Sequence, residues 1–141
     1  MVEPPAMLGW IKTIFADGEP GVSRTDRELG ERGENVAARH LQGKKMKVLL
    51  RNFRTELGEV DIIARDGKTL VFVEVKTRES DTVSPADQVD AAKQQQVARV
   101  ARQYLSRYGK PQPDYRFDVV AIVWPQGQQP RIEHIVDAFQ E

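Results

Sequence analysis

The chain contains no cysteine. That excludes disulfides, thiolate metal centres and a cysteine nucleophile, and it makes a cytoplasmic location the default expectation. Only two histidines occur, His40 and His134, and neither has a partner at zinc-ligand spacing. There is no Gly-rich phosphate loop and no G-x-S-x-G. No apolar run approaches the ~18 residues of a membrane span, so no membrane partner is expected. Met1-Val2-Glu3-Pro4-Pro5 has no basic stretch leading into an apolar run, which argues against a secretory signal. Net charge is zero, which by itself argues against a strongly basic nucleic-acid binder.

What is present is a globular composition. The chain has 141 residues, 40% hydrophobic and 30% charged, which suits one compact domain with a real core. Residues 1–24 read as an N-terminal extension, with Met7, Leu8, Ile11, Ile14 and Phe15 at helical spacing and a linker at 17–21. The body is 25–141. Its charges are unevenly spread: Arg39, Lys44, Lys45, Lys47, Arg51 and Arg54 follow one another without an acid, as do Lys93, Arg99, Arg102, Arg107 and Lys110. Such segments suit either a phosphate backbone or two solvated basic faces.

The most informative stretch is 58–76. It reads as two Val/Ile-rich strands joined at Asp66-Gly67, yet Asp61, Glu74 and Lys76 stand where a structural strand would carry Val or Ile. If Asp66-Gly67 is a two-residue loop, Asp61 lies opposite Phe72 and Glu74 opposite Glu59. Glu59, Asp61, Phe72, Glu74 and Lys76 then share one face, and Val60, Ile62, Val71, Val73 and Val75 the other. Asp61 and Glu74 become diagonal neighbours, about 7–8 Å apart at the backbone, close enough for their carboxylates to hold one divalent cation.

Around the hairpin, a helix is expected from Thr25 or Asp26 to about Leu41, ended by Gly43, with Glu34 near its packing side. A first strand covers Lys44 to Arg54. A second helix runs from about Pro85 to Tyr108, with Val89, Ala92, Val97, Val100, Ala101, Tyr104, Leu105 and Tyr108 as its core stripe. Tyr115 to Trp124 is an apolar strand covered on both faces, and Asp118 at its start reads more readily as a strand-end or turn acid than as a site residue. Arg131 to Phe139 is a short strand and turn. This order gives an α/β sandwich with a mixed central sheet between helices.

Asp61 with a Glu-x-Lys on the neighbouring strand suits phosphodiester hydrolysis. The carboxylates can hold Mg2+ or Mn2+, and Lys76 can position water and balance phosphate charge. The alternative is a cross-strand brace, Lys76 with Glu59 or Glu74, although so many charges on one buried face are costly for a brace. Together with Gly33-Glu34, Arg51-Asn52, Gly58-Glu59-Val60-Asp61, the segment 71–78, Lys93-Gln94 and the segment 116–120, the chain resembles the bacterial YraN family, in the resolvase-like branch of the PD-(D/E)xK nucleases. The proline of that motif is replaced by Val60. The resemblance implies a restriction-endonuclease-like three-layer sandwich and an endonuclease acting on DNA rather than RNA, including branched or structured DNA. It implies Asp61, Glu74 and Glu34 as metal ligands, Lys76 as the catalytic lysine, and Lys93, Gln94, Arg51, Arg54 and Arg78 as nucleic-acid contacts. Symmetric dimers among resolvase-like relatives extend the expectation of a homodimer to this chain. The alternative function is a non-catalytic nucleic-acid-binding or adaptor protein that keeps the fold.

Overall fold

A computed structural model describes residues 24–80 and 91–140. The expected helix at 7–15, the first part of the expected second helix and Val89 lie outside the described residues. The elements are α1 (Arg24–Gly43), β1 (Lys47–Thr55), β2 (Gly58–Asp66), β3 (Thr69–Arg78), α2 (Ala91–Leu105), β4 (Tyr115–Val123) and β5 (Arg131–Phe139). The strands form one sheet in the order β1-β2-β3-β4-β5. Only β3 and β4 pair in parallel, joined through α2; the other pairs are antiparallel. No helix among the described residues is long and apolar enough to cross a membrane.

Two apolar clusters make the three layers. Ala37, Ala38 and Leu41 of α1 pack on Ile62, Val71, Val73, Val120 and Ile122 on one face of the sheet. On the other, Val97, Val100, Ala101, Tyr104 and Leu105 of α2 pack on Ile63, Phe72, Phe117 and Val119. The chain thus has the α/β sandwich architecture expected of a nuclease-like fold. β4 lies inside the sheet and is covered on both faces, which explains its unbroken apolar run.

Several boundaries differ from the sequence reading. The first strand starts at Lys47 because Lys44, Lys45 and Met46 are used to end α1. Their N–H groups donate to the carbonyls of His40 or Leu41, Gln42 and Leu41 in turn. Lys45, not Gly43, takes the left-handed conformation that ends the helix (φ 68°). On α2, Ala98 joins the core, whereas Ala92 faces solvent and Tyr108 is 41% exposed, since the helix ends at Leu105. The expected terminal strand and turn is a full nine-residue edge strand.

The hairpin register also differs. Asp66 pairs with Thr69, so Gly67 and Lys68 form the loop and every cross-strand pair slides by two residues. Gly67 supplies the positive φ of the turn (60°), and the exposed, flexible Lys68 accepts the other loop position. The loop still has two residues, so Asp61, Glu74 and Lys76 keep their expected common parity.

Candidate active site

The β2–β3 ladder stops at Ile62↔Val73. Beyond it β2 stays with β1 as far as Gly58, and β3 stays with β4 as far as Arg78, so the two strands part. Asp61 stands at the fork. Its Oδ2 accepts the Val75 N–H at 2.8 Å, taking the place of a ladder carbonyl. Alternation breaks here as well. Val60 turns to the α2 side with Ile63, rather than to the α1 side expected for it. Across the strand pair, Asn52 adopts φ 53°, between Arg51, which reaches α1, and Phe53, which packs toward α2. An Asn tolerates that conformation better than most residues.

The fork brings the carboxyl groups of Asp61 and Glu74 together. Glu74 is 1% exposed, and its carboxyl shares a hydrogen bond with that of Asp61. Burial, then the Asp61 charge, pushes the Glu74 carboxyl well above the usual range, against the opposing pull of Lys93 and Lys76. Lys93 Nζ stands 3.9 Å from Glu74 Oε2 and 3.5 Å from Gln96 Oε1. Glu74 Oε1 is buried and has no hydrogen-bond partner among the described residues.

Glu34 closes the cleft from α1. It can approach because Gly33 lies against the Thr77 side chain of β3, where a Cβ at position 33 would overlap Thr77 Oγ1. Helix interiors disfavour glycine; close packing explains this one. On the α2 side, Gly58 (φ 140°) leaves room for Gln96, whose Cγ would overlap a Cβ at position 58. Glu34 is held by the Asn52 side chain and lies 4.0 Å from the Arg51 guanidinium, which also donates to Asn35 Oδ1 at 2.8 Å. Burial, with the Asp61 charge next, raises its carboxyl from 4.5 to about 7.

This shift carries a sign. Between pH 4.5 and 7 the folded protein holds a proton on Glu34 that the unfolded chain has released, so stability falls as pH rises through that window. The loss is on the order of 3 kcal/mol, complete near the upper end. Urea unfolding in EDTA at pH 5 and pH 8 should therefore give a clearly lower midpoint at pH 8. Glu34→Gln should narrow that gap.

The residues expected to touch nucleic acid fare differently. Arg51 is engaged with α1 and positions Glu34. Arg54 is exposed and paired with Glu59 at 2.9 Å. Lys93 belongs to the carboxylate cleft itself, and Gln94 lies half-buried beside it on α2. Lys76 and Arg78 are half-buried along β3. Among the described residues no three His, Asp or Glu side chains are arranged as a metal centre. Two adjacent carboxylates with an unpartnered buried oxygen nevertheless fit a hard cation such as Mg2+, which is commonly held by one or two carboxylates and several waters.

Sequence reasoning missed Asp118. Far from a strand-end acid, it is fully buried on β4. Arg116 Nε and Nη2 donate to it at 3.0 and 3.2 Å, the Asp137 N–H at 2.9 Å, and His134 Nε2 lies 2.7 Å away. An acid inside an otherwise apolar run was the available signal.

Comparison with known proteins follows the same residues. The profile of the uncharacterised protein family UPF0102 matches residues 33–122, from Gly33 beside Thr77 to the end of the β4 core. A UPF0102 protein of Geotalea uraniireducens is 47% identical over 116 residues, covering 82% of this chain and 91% of the relative. One of Geobacter sulfurreducens is 47% identical over 119 residues, covering 84% and 93%. One of Rhodococcus jostii is 47% identical over 112 residues, covering 79% and 95%.

Proposed function

The chain belongs to the UPF0102 family, the YraN family, and from its forked hairpin we propose a Mg2+- or Mn2+-dependent endonuclease that hydrolyses phosphodiester bonds in DNA, branched or structured DNA included. One observation carries the reading: Glu74 is buried against a second carboxylate, with one oxygen left unpartnered among the described residues. A structural brace would satisfy that oxygen, because an unmet buried acceptor costs about 1–3 kcal/mol.

Asp61 and Glu74 would hold the cation, with Glu34 entering from α1. When bound, the cation supplies charge for the phosphate and a lowered pKa for water. Lys76, two residues beyond Glu74 on the same face, orients the attacking water and balances charge growing on the phosphate oxygens. The side chains of Arg51 and Asn52 keep Glu34 aimed at the cleft.

The lack of a three-carboxylate centre among the described residues favours a second reading, a non-catalytic nucleic-acid-binding or adaptor protein in which Lys93 permanently neutralises Glu74. The two readings part in one experiment. Four-way junction, flap, single-stranded and duplex DNA are incubated with the protein under Mg2+ and under Mn2+. The nuclease reading expects metal-dependent cleavage of at least one substrate and its loss in Asp61→Asn, which keeps an acceptor for the Val75 N–H. No cleavage under either metal, or equal cleavage by Asp61→Asn, favours the adaptor.

A further inference from the structure

We propose that Phe53, Tyr104, Arg107 and Tyr108 form a stacking platform for unpaired bases of a nucleic-acid strand that leaves the cleft along α2. The inference rests on the cleft being a phosphodiester site and adds the form of strand it receives.

The platform is a set of rings and one guanidinium held in mutual contact. Tyr104 meets Phe53 edge-on with ring centroids 5.5 Å apart, and Tyr108 at 5.9 Å. The Arg107 guanidinium lies over Phe53 at 5.1 Å and over Tyr104 at 5.0 Å. Tyr104 marks the limit of the core at 7% exposure, whereas Tyr108 is 41% exposed and Arg107 is exposed beside it. Tyr108 is nonetheless fixed. Its N–H donates to the Leu105 carbonyl at 3.0 Å, and its hydroxyl is 3.5 Å from that of Tyr104. A held, half-open ring beside a flat cation offers two surfaces on which a base can lie.

Its place and charge fit a polyanion. Phe53 pairs with Val60, the residue before Asp61, so the platform begins one strand away from the fork. From 91 to 113 the chain has no acid, and Arg99 and Arg102 are exposed on the same helix. At the rim, Glu59 is paired with Arg54, and Glu56 accepts from Gln103 at 3.2 Å. Stacking needs no particular base, so the platform recognises single-strandedness rather than sequence.

The test measures fluorescence anisotropy with the full chain carrying Asp61→Asn, so that nothing is cut. Three probes are compared: a thymidine oligonucleotide, an abasic strand of the same length and a blunt duplex. Adding Tyr108→Ala and Arg107→Ala should weaken the thymidine probe by about ten-fold or more while the abasic strand changes far less. Tyr108→Phe should retain the parent affinity and so guards against misfolding. Unchanged thymidine binding in the double variant, or an equal loss on the abasic strand, overturns the platform and leaves the cleft reading standing. If the parent binds none of the three probes, both fall.

Discussion

Glu74→Gln is expected to lower metal-dependent cleavage by about three orders of magnitude while leaving the fold at least as stable at pH 8. The two effects come from one cause. Glu74 is buried beside Asp61 with Lys93 at 3.9 Å, and burial disfavours its ionised form. Without a cation the folded protein at pH 8 must either carry an extra proton or bury a poorly compensated charge, and each costs stability. Glutamine has the same shape and no charge, so it removes that cost together with the ligand. Residues that serve only the fold do not behave this way: their loss lowers the melting temperature. Thermal unfolding in EDTA and cleavage under Mn2+, measured on the same preparation, separate the two behaviours. A variant that is both less stable and fully active would place Glu74 among the structural residues.

Asp118→Ala should do the opposite, costing about 3–5 kcal/mol of stability. Burial alone would raise the Asp118 carboxyl, but His134, Arg116 and the Asp137 N–H outweigh it and hold the group below its usual range. Truncation leaves Arg116 and His134 facing a cavity between β4 and β5. Arg116 keeps its contact with Asp66 at 3.0 Å, while His134, whose side chain is 2% exposed, loses its Nε2 partner and keeps Lys44 at its Nδ1. The pH dependence has the sign of a depressed acid. The stability it contributes is present above the ordinary carboxyl range and is lost as pH falls through the lowered folded value. Glu34 and Asp118 therefore pull in opposite directions, and the metal-free protein should be most stable in mildly acid solution. Urea unfolding across pH 3 to 8 measures this, and in Asp118→Ala the acid-side fall should shrink.

Parity carried the site into view. A two-residue loop fixes parity whichever two residues form it, so Asp61, Glu74 and Lys76 kept common parity when the register slid from Asp66-Gly67 to Gly67-Lys68, although alternation breaks at Val60. What parity could not supply was the fork. Whether Asp61 faces Glu74 diagonally or meets it directly depends on where the ladder stops, and that depends on β1 and β4 drawing the strands apart. Glu34 was legible as a helix residue near the packing side, without any sign that its neighbour Gly33 lies against Thr77. Charge patterning also does not reveal partners on another element, such as the Asn35 side chain that Arg51 reaches on α1. Asp118 was misread because two of its partners, His134 and Asp137, lie on β5, at the far end of the sequence. Local pattern finds faces and periods, whereas pairings between distant elements are set by the tertiary fold.

The central claim is that Asp61 and Glu74 form a cation site, and Mn2+ titration by calorimetry tests it without a substrate. Saturable binding near one ion per chain is expected, with protons released because Glu34 and Glu74 must ionise to take part, and loss of that binding in Glu74→Gln. No saturable heat with the wild-type chain, or the same isotherm from Glu74→Gln, would contradict it.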